Sequence, residues 1–281
     1  MKIKIKIPLS CLITTICTIT AILVFVSCKS FLKETGPPPY KPEVMIYINN
    51  DKFVISVLYT VLDARDSMKI EFIKSIKNIY VNFYNTEKKL TRTEIKPVIV
   101  NQSNSKRINM IMLARGEANI FDKYSFETIF IDLNIVTKDG DYNYYKNSKD
   151  LSQDIIFSGM KNMELVPFYE KVDTTYLFGV IAKRLEITSK EYLPNSEDFR
   201  TEVLTKKNSV QWSSNYKKDY LMSIQKVKPI KIGDYFIYTM NWDKRKNQGG
   251  SVSPGSYNLR LTIPSFPDYY TVIMDFPISK N

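Results

Sequence analysis

Apolar residues alternate with polar ones along much of this chain, and a period of two restricts those segments to β-strands. Strict alternation indicates strands with one buried face, as in antiparallel sheets. The clearest runs lie at residues 53–61, 79–83, 129–135, 236–242, 257–263 and 272–278. Asp139-Gly140-Asp141 predicts a hairpin turn between two such strands. We therefore predict an antiparallel all-β fold.

Two segments depart from this period. From Asp66 to Lys77 the apolar residues recur at helical spacing behind an Asp66 cap, which predicts a short helix. The segment from Thr174 to Ser223 has no clear period. At its end, three residues spaced by four fit either a helix or a twisted strand: Tyr216, Tyr220 and Ile224.

Many short strands, frequent turn signals and little helix are typical of immunoglobulin-like β-sandwiches. A chain of 281 residues has room for two tandem sandwiches of roughly 100 residues each, and one elaborated sandwich is the alternative. The polar stretch from Lys146 to Asp154 marks the boundary. We place an N-terminal sandwich at residues 43–150 and a C-terminal one at residues 151–281.

The N-terminus has the pattern of a bacterial lipoprotein signal. Lys2, Lys4 and Lys6 precede an apolar stretch, Ile7 to Val26, and Ser27 precedes Cys28. We predict cleavage after residue 27 and lipidation of Cys28, which would attach the protein to a membrane. A retained transmembrane anchor is the alternative, although a span needs roughly 20 apolar residues and this stretch contains several hydroxyl groups. Residues 28–42 are rich in proline and predict an extended tether.

Composition excludes several chemistries. The chain has no histidine, which removes catalysis that depends on an imidazole and zinc sites that depend on His ligands. Cleavage would also remove Cys11 and Cys17 and lower the formal net charge from +11 to +8, since three lysines leave. The nine glycines form no phosphate-binding loop. We expect no enzymatic activity, no cofactor and no metal; Asp139 and Asp141 fit a turn better than a calcium loop.

Basic residues cluster late in the chain. Lys226 and Lys228 precede a predicted strand, and Lys244, Arg245 and Lys246 follow it. If these side chains converge, they would attract anionic partners such as sulfated glycans or acidic lipid head groups, without reading a nucleic-acid sequence. The alternative is that they only solvate the surface, because acidic residues such as Asp234 and Asp243 are interleaved.

Two resemblances to known families add to these patterns. Trp242-Asp243, Gly249-Gly250 and the run from Pro254 to Leu259 resemble the end of bacterial immunoglobulin-like modules, a pattern that proteinase inhibitors of bacilli share. The resemblance implies a tight turn at Pro254-Gly255 and a Tyr257 hydroxyl that reaches the backbone at the corner. The signal, the lysine-rich tether and the overall composition resemble spirochaetal surface lipoproteins of the Borrelia type, which implies an outer-membrane, surface location.

Together these patterns predict a lipid-anchored envelope protein that acts by binding. Our first hypothesis is a surface-exposed adhesion module for host or environmental macromolecules, with a protein or an anionic glycan as its ligand. The alternative is a periplasm-facing accessory lipoprotein of envelope machinery. Inhibition of proteases is a further hypothesis, which rests on the Trp242-to-Tyr257 pattern alone.

Overall fold

The fold is described from a computed structural model, which describes residues 36–49, 52–84, 89–118, 130–147, 156–158 and 162–279. The N-terminal half contains eight of its strands and a helix: β1 (Glu43–Asn49), β2 (Lys52–Val61), α1 (Ser67–Ser75), β3 (Ile76–Tyr84), β4 (Lys89–Ile95), β5 (Pro97–Val100), β6 (Met110–Ala118), β7 (Phe130–Thr137) and β8 (Asp141–Asn147). The C-terminal half contains another eight strands: β9 (Ile156–Ser158), β10 (Met163–Val172), β11 (Thr175–Arg184), β12 (Arg200–Thr205), β13 (Val210–Ser213), β14 (Tyr235–Trp242), β15 (Gly255–Ile263) and β16 (Tyr270–Ile278).

The N-terminal half is a sandwich of two antiparallel sheets. Sheet 1 has the strand order β1-β2-β6-β5, and sheet 2 has the order β4-β3-β7-β8. Lettered along the chain, these are the A-B-E-D and C′-C-F-G sheets of an immunoglobulin-type sandwich. The alternating residues of both inner faces form one core, in which Val57, Val81 and Ile135 are completely buried.

The C-terminal half repeats this arrangement. Sheet 3 has the order β10-β11-β14 and sheet 4 the order β13-β12-β15-β16-β9. These correspond to A-B-E and C′-C-F-G, with β9 added beside the last strand. The Tyr257 hydroxyl donates to the Ser253 carbonyl oxygen at 2.8 Å, where β15 begins. The corner bond implied by the immunoglobulin resemblance is therefore present, and the prediction of an antiparallel all-β sandwich fold is confirmed.

The two sandwiches stack face to face through sheets 1 and 3. Leu58, Ile111 and Leu113 of sheet 1 belong to the same cluster of buried residues as Val166 and Ile181 of sheet 3. Polar contacts border this apolar junction. The Asn104 side chain accepts from the Thr239 amide at 2.9 Å, and Arg115 pairs with Glu164 at 2.6 Å. Sheet 1 is consequently covered on both faces.

The predicted short helix is present as α1, and Asp66 caps it by accepting a hydrogen bond from the Lys69 amide at 3.1 Å. The proline-rich segment differs from the predicted tether in its described part, residues 36–42. Pro38 and Pro42 are buried, and the Tyr40 ring lies 5.6 Å from the Phe72 ring of α1. This segment packs on the sandwich because its prolines and tyrosine cover apolar side chains that the helix leaves exposed.

Several predictions fall on residues that the structure does not describe. The signal at residues 1–27, Cys28 and the boundary between residues 150 and 151 all lie there. None of the described residues forms a helix with the length and hydropathy that a membrane crossing needs. Among those residues there is also no group of three or more acidic, Cys or His side chains placed to hold a metal ion.

Candidate functional site

Three loops meet at one end of the C-terminal sandwich, and we call this end the loop tip. The loops are residues 185–199 between β11 and β12, residues 214–234 between β13 and β14, and residues 264–269 between β15 and β16. Strand register brings them together, because the end of β11 lies beside the start of β14 and the start of β12 beside the end of β15. In immunoglobulin variable domains, loops at this end of the sandwich bind the ligand.

The loop tip displays large apolar side chains to solvent. Leu221 and Ile224 are each 77% exposed and Met222 is 90% exposed. Five further apolar side chains of the tip are at least half exposed: Ile187, Ile230, Ile232, Phe266 and Tyr269. Single exposed apolar residues are ordinary on protein surfaces, whereas a cluster of them at one end indicates an interaction surface.

A buried ion pair fixes two of the loops to each other. Arg184, at the end of β11, contacts Glu191 at 2.6 Å, and both side chains are less than a tenth exposed. The same guanidinium donates to the carbonyl oxygens of Pro229 at 2.8 Å and Val227 at 3.1 Å. Since an unpaired buried charge is costly, these contacts hold the 185–199 and 214–234 loops in one arrangement.

Backbone contacts complete the bracing of the loop tip. Leu193 exchanges two hydrogen bonds with Gln225, and Tyr192 exchanges two with Phe266. The Tyr192 and Phe266 rings also lie 5.2 Å apart. All three loops are thus joined through residues 192 and 193, which means that the exposed apolar side chains stand on a fixed support.

The bracing extends into the sandwich through Tyr238. Its hydroxyl donates to the Lys228 carbonyl oxygen at 2.8 Å and accepts from the Lys228 amide at 3.1 Å. Burial raises the pKa of this tyrosine above its ordinary value, so it stays protonated and remains a donor. The 214–234 loop is therefore anchored to the core strand β14.

The long loop of the tip has a positive charge. Residues 214–234 contain two aspartates and five lysines, the latter being Lys217, Lys218, Lys226, Lys228 and Lys231. Lys228 lies with its ammonium 4.9 Å from the centre of the Phe236 ring. The surface therefore combines aliphatic side chains with lysines.

The predicted basic cluster is divided by the fold. Lys226 and Lys228 lie in the loop tip, before β14, whereas Lys244, Arg245 and Lys246 follow the other end of that strand. Six residue steps of strand separate Phe236 from Trp242, which is about 20 Å. Lys244 lies with its ammonium 5.3 Å from the centre of the Tyr176 ring, and Arg245 contacts Asp243 at 3.4 Å. The structure therefore does not bring the five residues onto one face.

Sequence reasoning missed the apolar part of the loop tip. Tyr216, Tyr220 and Ile224 were consistent with a helix or a twisted strand, but they lie in a loop without regular structure. The available signal was a set of aliphatic residues without a period of two or 3.6, next to closely spaced lysines. Neither a strand nor a helix would place aliphatic residues with this spacing on one buried face, so the spacing favours an exposed apolar loop.

The described N-terminal segment lies at the end opposite the loop tip. Gly36 bridges to Tyr142 at the start of β8, beside the turn whose Lys138 amide donates to Ser75 at the end of α1. That end of the N-terminal sandwich adjoins the far end of β14, because Arg107 donates to Asn241 at 2.8 Å. Gly36, the first residue that the structure describes, therefore lies at the end remote from the tip.

A cleft of about 750 Å³ lies between the sandwiches at this remote end. Leu62, Ile108 and Leu177 provide apolar walls. Its charged lining residues include Arg107 and Asp173, which are of opposite sign. The cleft therefore does not define a ligand of one charge, and the loop tip remains the stronger candidate site.

Comparison with known proteins does not identify a functional site in this chain. No protein family model matches the sequence, and no curated protein matches it. Among solved structures the chain is similar to the exo-chitosanase CsxA of Amycolatopsis orientalis, with 9% identity and a TM-score of 0.22 over 84% of this chain. The chain spans about a quarter, 26%, of that enzyme's length. A likeness at this level supports no conclusion about function. The strand order defines the chain as a pair of immunoglobulin-type sandwiches.

Proposed function

We propose that this protein is a lipid-anchored bacterial envelope protein that acts by binding a macromolecule through the loop tip. One observation carries the proposal: the tip holds exposed Leu221, Met222 and Ile224 on loops that are braced by buried contacts. A surface that is already ordered loses little conformational entropy when it binds, and this favours recognition. We propose that the protein binds without catalysing a reaction, because the chain has no histidine to act as a general base near neutral pH.

The position of Gly36 supports display of the loop tip away from the anchoring membrane. If Cys28 carries the lipid, seven residues lie between it and Gly36, and these eight residue steps span at most about 28 Å. The anchor would then lie on the side of the cleft, and the loop tip would point away from the membrane. This arrangement suits contact with a partner outside the cell, and it equally permits contact with envelope machinery across the periplasm.

Protease treatment of intact cells tests the location. Loss of the protein, under conditions that spare a periplasmic marker, supports surface display. Survival of the protein while a known surface protein is cut would instead favour the periplasm-facing alternative. Cys28→Ala should abolish labelling by fatty-acid analogues and release the protein to soluble fractions. If it stays in the membrane, residues 7–26 act as an uncleaved anchor.

Attachment of cells to immobilised matrix proteins, glycans and serum proteins tests the site. The combined change Leu221→Ser, Met222→Ser and Ile224→Ser should abolish an attachment that the unchanged protein confers. The matched control is Met68→Ser, because Met68 is 74% exposed but lies on α1, away from the loop tip. Equal attachment by cells with the triple change would contradict the assignment of the tip.

A further inference from the structure

We infer that the partner of the loop tip is an anionic phospholipid bilayer, which the tip enters with its aliphatic side chains. This inference rests on the proposed function, because it names the partner of the same surface. It concerns a second membrane, since the described N-terminal segment lies at the opposite end of the molecule. An anchored protein would thereby connect two bilayers.

Residue types favour lipid over a protein partner. Interfaces between proteins are enriched in Trp, Tyr, Phe, Met and Arg and depleted in Lys. Apart from Met222 and the 42% exposed Tyr216, the exposed apolar residues of the 214–234 loop are Leu and Ile, and all five of its basic residues are lysines. Lysine places its ammonium at a head-group surface while its stem covers apolar atoms, which suits a membrane interface.

The order of these residues along the loop fits insertion. Leu221, Met222 and Ile224 form one exposed apolar group, with Lys217 and Lys218 before it and Lys226 after it. A second exposed group, Ile230 and Ile232, surrounds Lys231. Interfacial segments bury their apolar residues about 5–10 Å deep while basic residues contact anionic head groups. Each lysine near such a surface strengthens binding by roughly fivefold.

The bracing of the loop tip makes insertion favourable. Arg184, through its contacts with Glu191 and with the Val227 and Pro229 carbonyls, fixes the loop behind both apolar groups. The backbone of the tip therefore does not need to become ordered at the membrane. A sulfated glycan would use the lysines but would leave the aliphatic side chains in water, so it explains only half of the surface.

Vesicle capture tests the inference with the full chain. Donor vesicles of phosphatidylcholine carry the protein through its own N-terminal anchor. Fluorescent acceptor vesicles contain either phosphatidylcholine alone or an equimolar mixture with phosphatidylglycerol. We expect capture of the anionic acceptors, weak capture of the neutral ones, and a loss of capture as salt is raised.

Two sets of changes separate the contributions of apolar and basic residues. The triple change Leu221→Ser, Met222→Ser and Ile224→Ser should reduce capture at least about tenfold, because aliphatic burial drives insertion. Changing Lys226, Lys228 and Lys231 to Gln should reduce capture of anionic acceptors and weaken its salt dependence. Met68→Ser should leave capture unchanged. All of these side chains are solvent-exposed, so thermal unfolding should stay at the same temperature.

Failure of this inference is distinguishable from failure of the proposed function. Absence of capture, or equal capture by the triple-serine protein, overturns the lipid partner. If the triple change still abolishes attachment of cells to an immobilised protein or glycan, the loop tip remains a binding site with a different partner. If it alters neither capture nor attachment, both the inference and the proposed function are wrong.

Discussion

The two sandwiches share one strand order but treat the same end differently. In the N-terminal sandwich, the connection from β2 to β3 contains α1, whose Ile73 is buried in the core. Residues 36–42 cover part of the remaining apolar surface there, since Tyr40 packs on Phe72. In the C-terminal sandwich the equivalent connection, residues 185–199, forms part of the open loop tip.

This difference shows that the fold does not require apolar residues to be exposed at that end. The N-terminal sandwich covers most of them with one helix and a short extended segment, and Met68 is the large apolar side chain of α1 that stays exposed. In the C-terminal sandwich, buried contacts such as the pair Arg184 and Glu191 hold the loops in place, while Leu221 and Met222 remain exposed to water. Exposure at the loop tip is therefore a property of its loops, and this supports a binding role.

The largest expected effect tests whether the buried ion pair supports the loop tip. Arg184→Met should lower the free energy of unfolding of the C-terminal sandwich by about 3–5 kcal/mol, because Glu191 would keep a buried, unpaired charge. Both tryptophans, Trp212 and Trp242, lie in that sandwich, so their fluorescence in urea reports its unfolding selectively.

The double change Arg184→Met with Glu191→Leu is the control. It should recover much of the lost stability, because it removes both charges. The pair Arg115 and Glu164 at the junction is more exposed, at 19% and 14%, and Arg115→Met should therefore cost less. If Arg184→Met and Arg115→Met have equal effects, the buried pair does not distinguish the tip from the junction.

A pair of glycines compares the packing at the junction with the packing inside the N-terminal sandwich. Gly179 lies two residues from Ile181 of sheet 3, on the face of β11 that meets sheet 1. A Cβ at Gly179 would lie within 3.0 Å of three ring atoms of Phe168, its cross-strand partner, whose side chain is fully buried. A Cβ at Gly116 would meet one methyl group, Cγ2 of Ile95, at that range. Overpacking costs about 1–3 kcal/mol, so we expect Gly179→Ala near the upper value and Gly116→Ala near the lower.

Calorimetry of both alanine proteins provides the measurement. The Gly179→Ala protein should unfold at the lower temperature of the two. The reverse order would mean that the Phe168 ring moves more easily than Ile95 and that the junction is loosely packed. The unchanged protein and Met68→Ser, which alters an exposed side chain, are the references.

Local patterns predicted most of the fold because strand periodicity is a local property. The run from Phe53 to Val61 predicted a strand with one buried face, and it forms β2. Ser56 and Thr60, on its polar face, are buried as well, because sheet 3 covers that face. Stacking of the sandwiches depends on contacts between distant segments, so no pattern within one strand could predict it.

The candidate site was only half predictable for the same reason. Lysine runs are visible in the sequence, and Lys226 and Lys228 do lie in the loop tip. Separation of Lys244 from them depends on the direction of β14. Bracing by Arg184, Tyr192 and Leu193 depends on pairings between loops, which have no sequence period. The aliphatic residues of the tip therefore had no predicted position.

The corner bond of the C-terminal sandwich offers a smaller test of the comparison. Tyr257 begins β15 and donates to Ser253, whereas the equivalent strand of the N-terminal sandwich, β7, begins with Phe130. Tyr257→Phe should lower the free energy of unfolding by about 1 kcal/mol, the net value of one hydrogen bond. Urea unfolding followed by tryptophan fluorescence measures it. Tyr269→Phe, at a 54% exposed position in the same sandwich, should have no effect, and equal losses would contradict a special role for the corner.

The smallest expected effect concerns the junction of the sandwiches and depends on pH. Burial raises the pKa of Glu170 above its ordinary value, and the charge of Lys69 on α1 offsets only part of this. The folded state favours the protonated carboxyl of Glu170. The contribution of this group to folding stability is therefore complete below the ordinary glutamate pKa, and it is lost as the pH rises through the raised pKa of the folded state. Glu170→Gln should therefore raise the melting temperature at pH 7, and its advantage should shrink as the pH falls towards about 4.3.

Glu164→Gln, which removes the partner of Arg115, should lower the melting temperature at pH 7 instead. If both changes act in the same direction at pH 7, the charges at the junction do not have the opposing roles that their surroundings indicate.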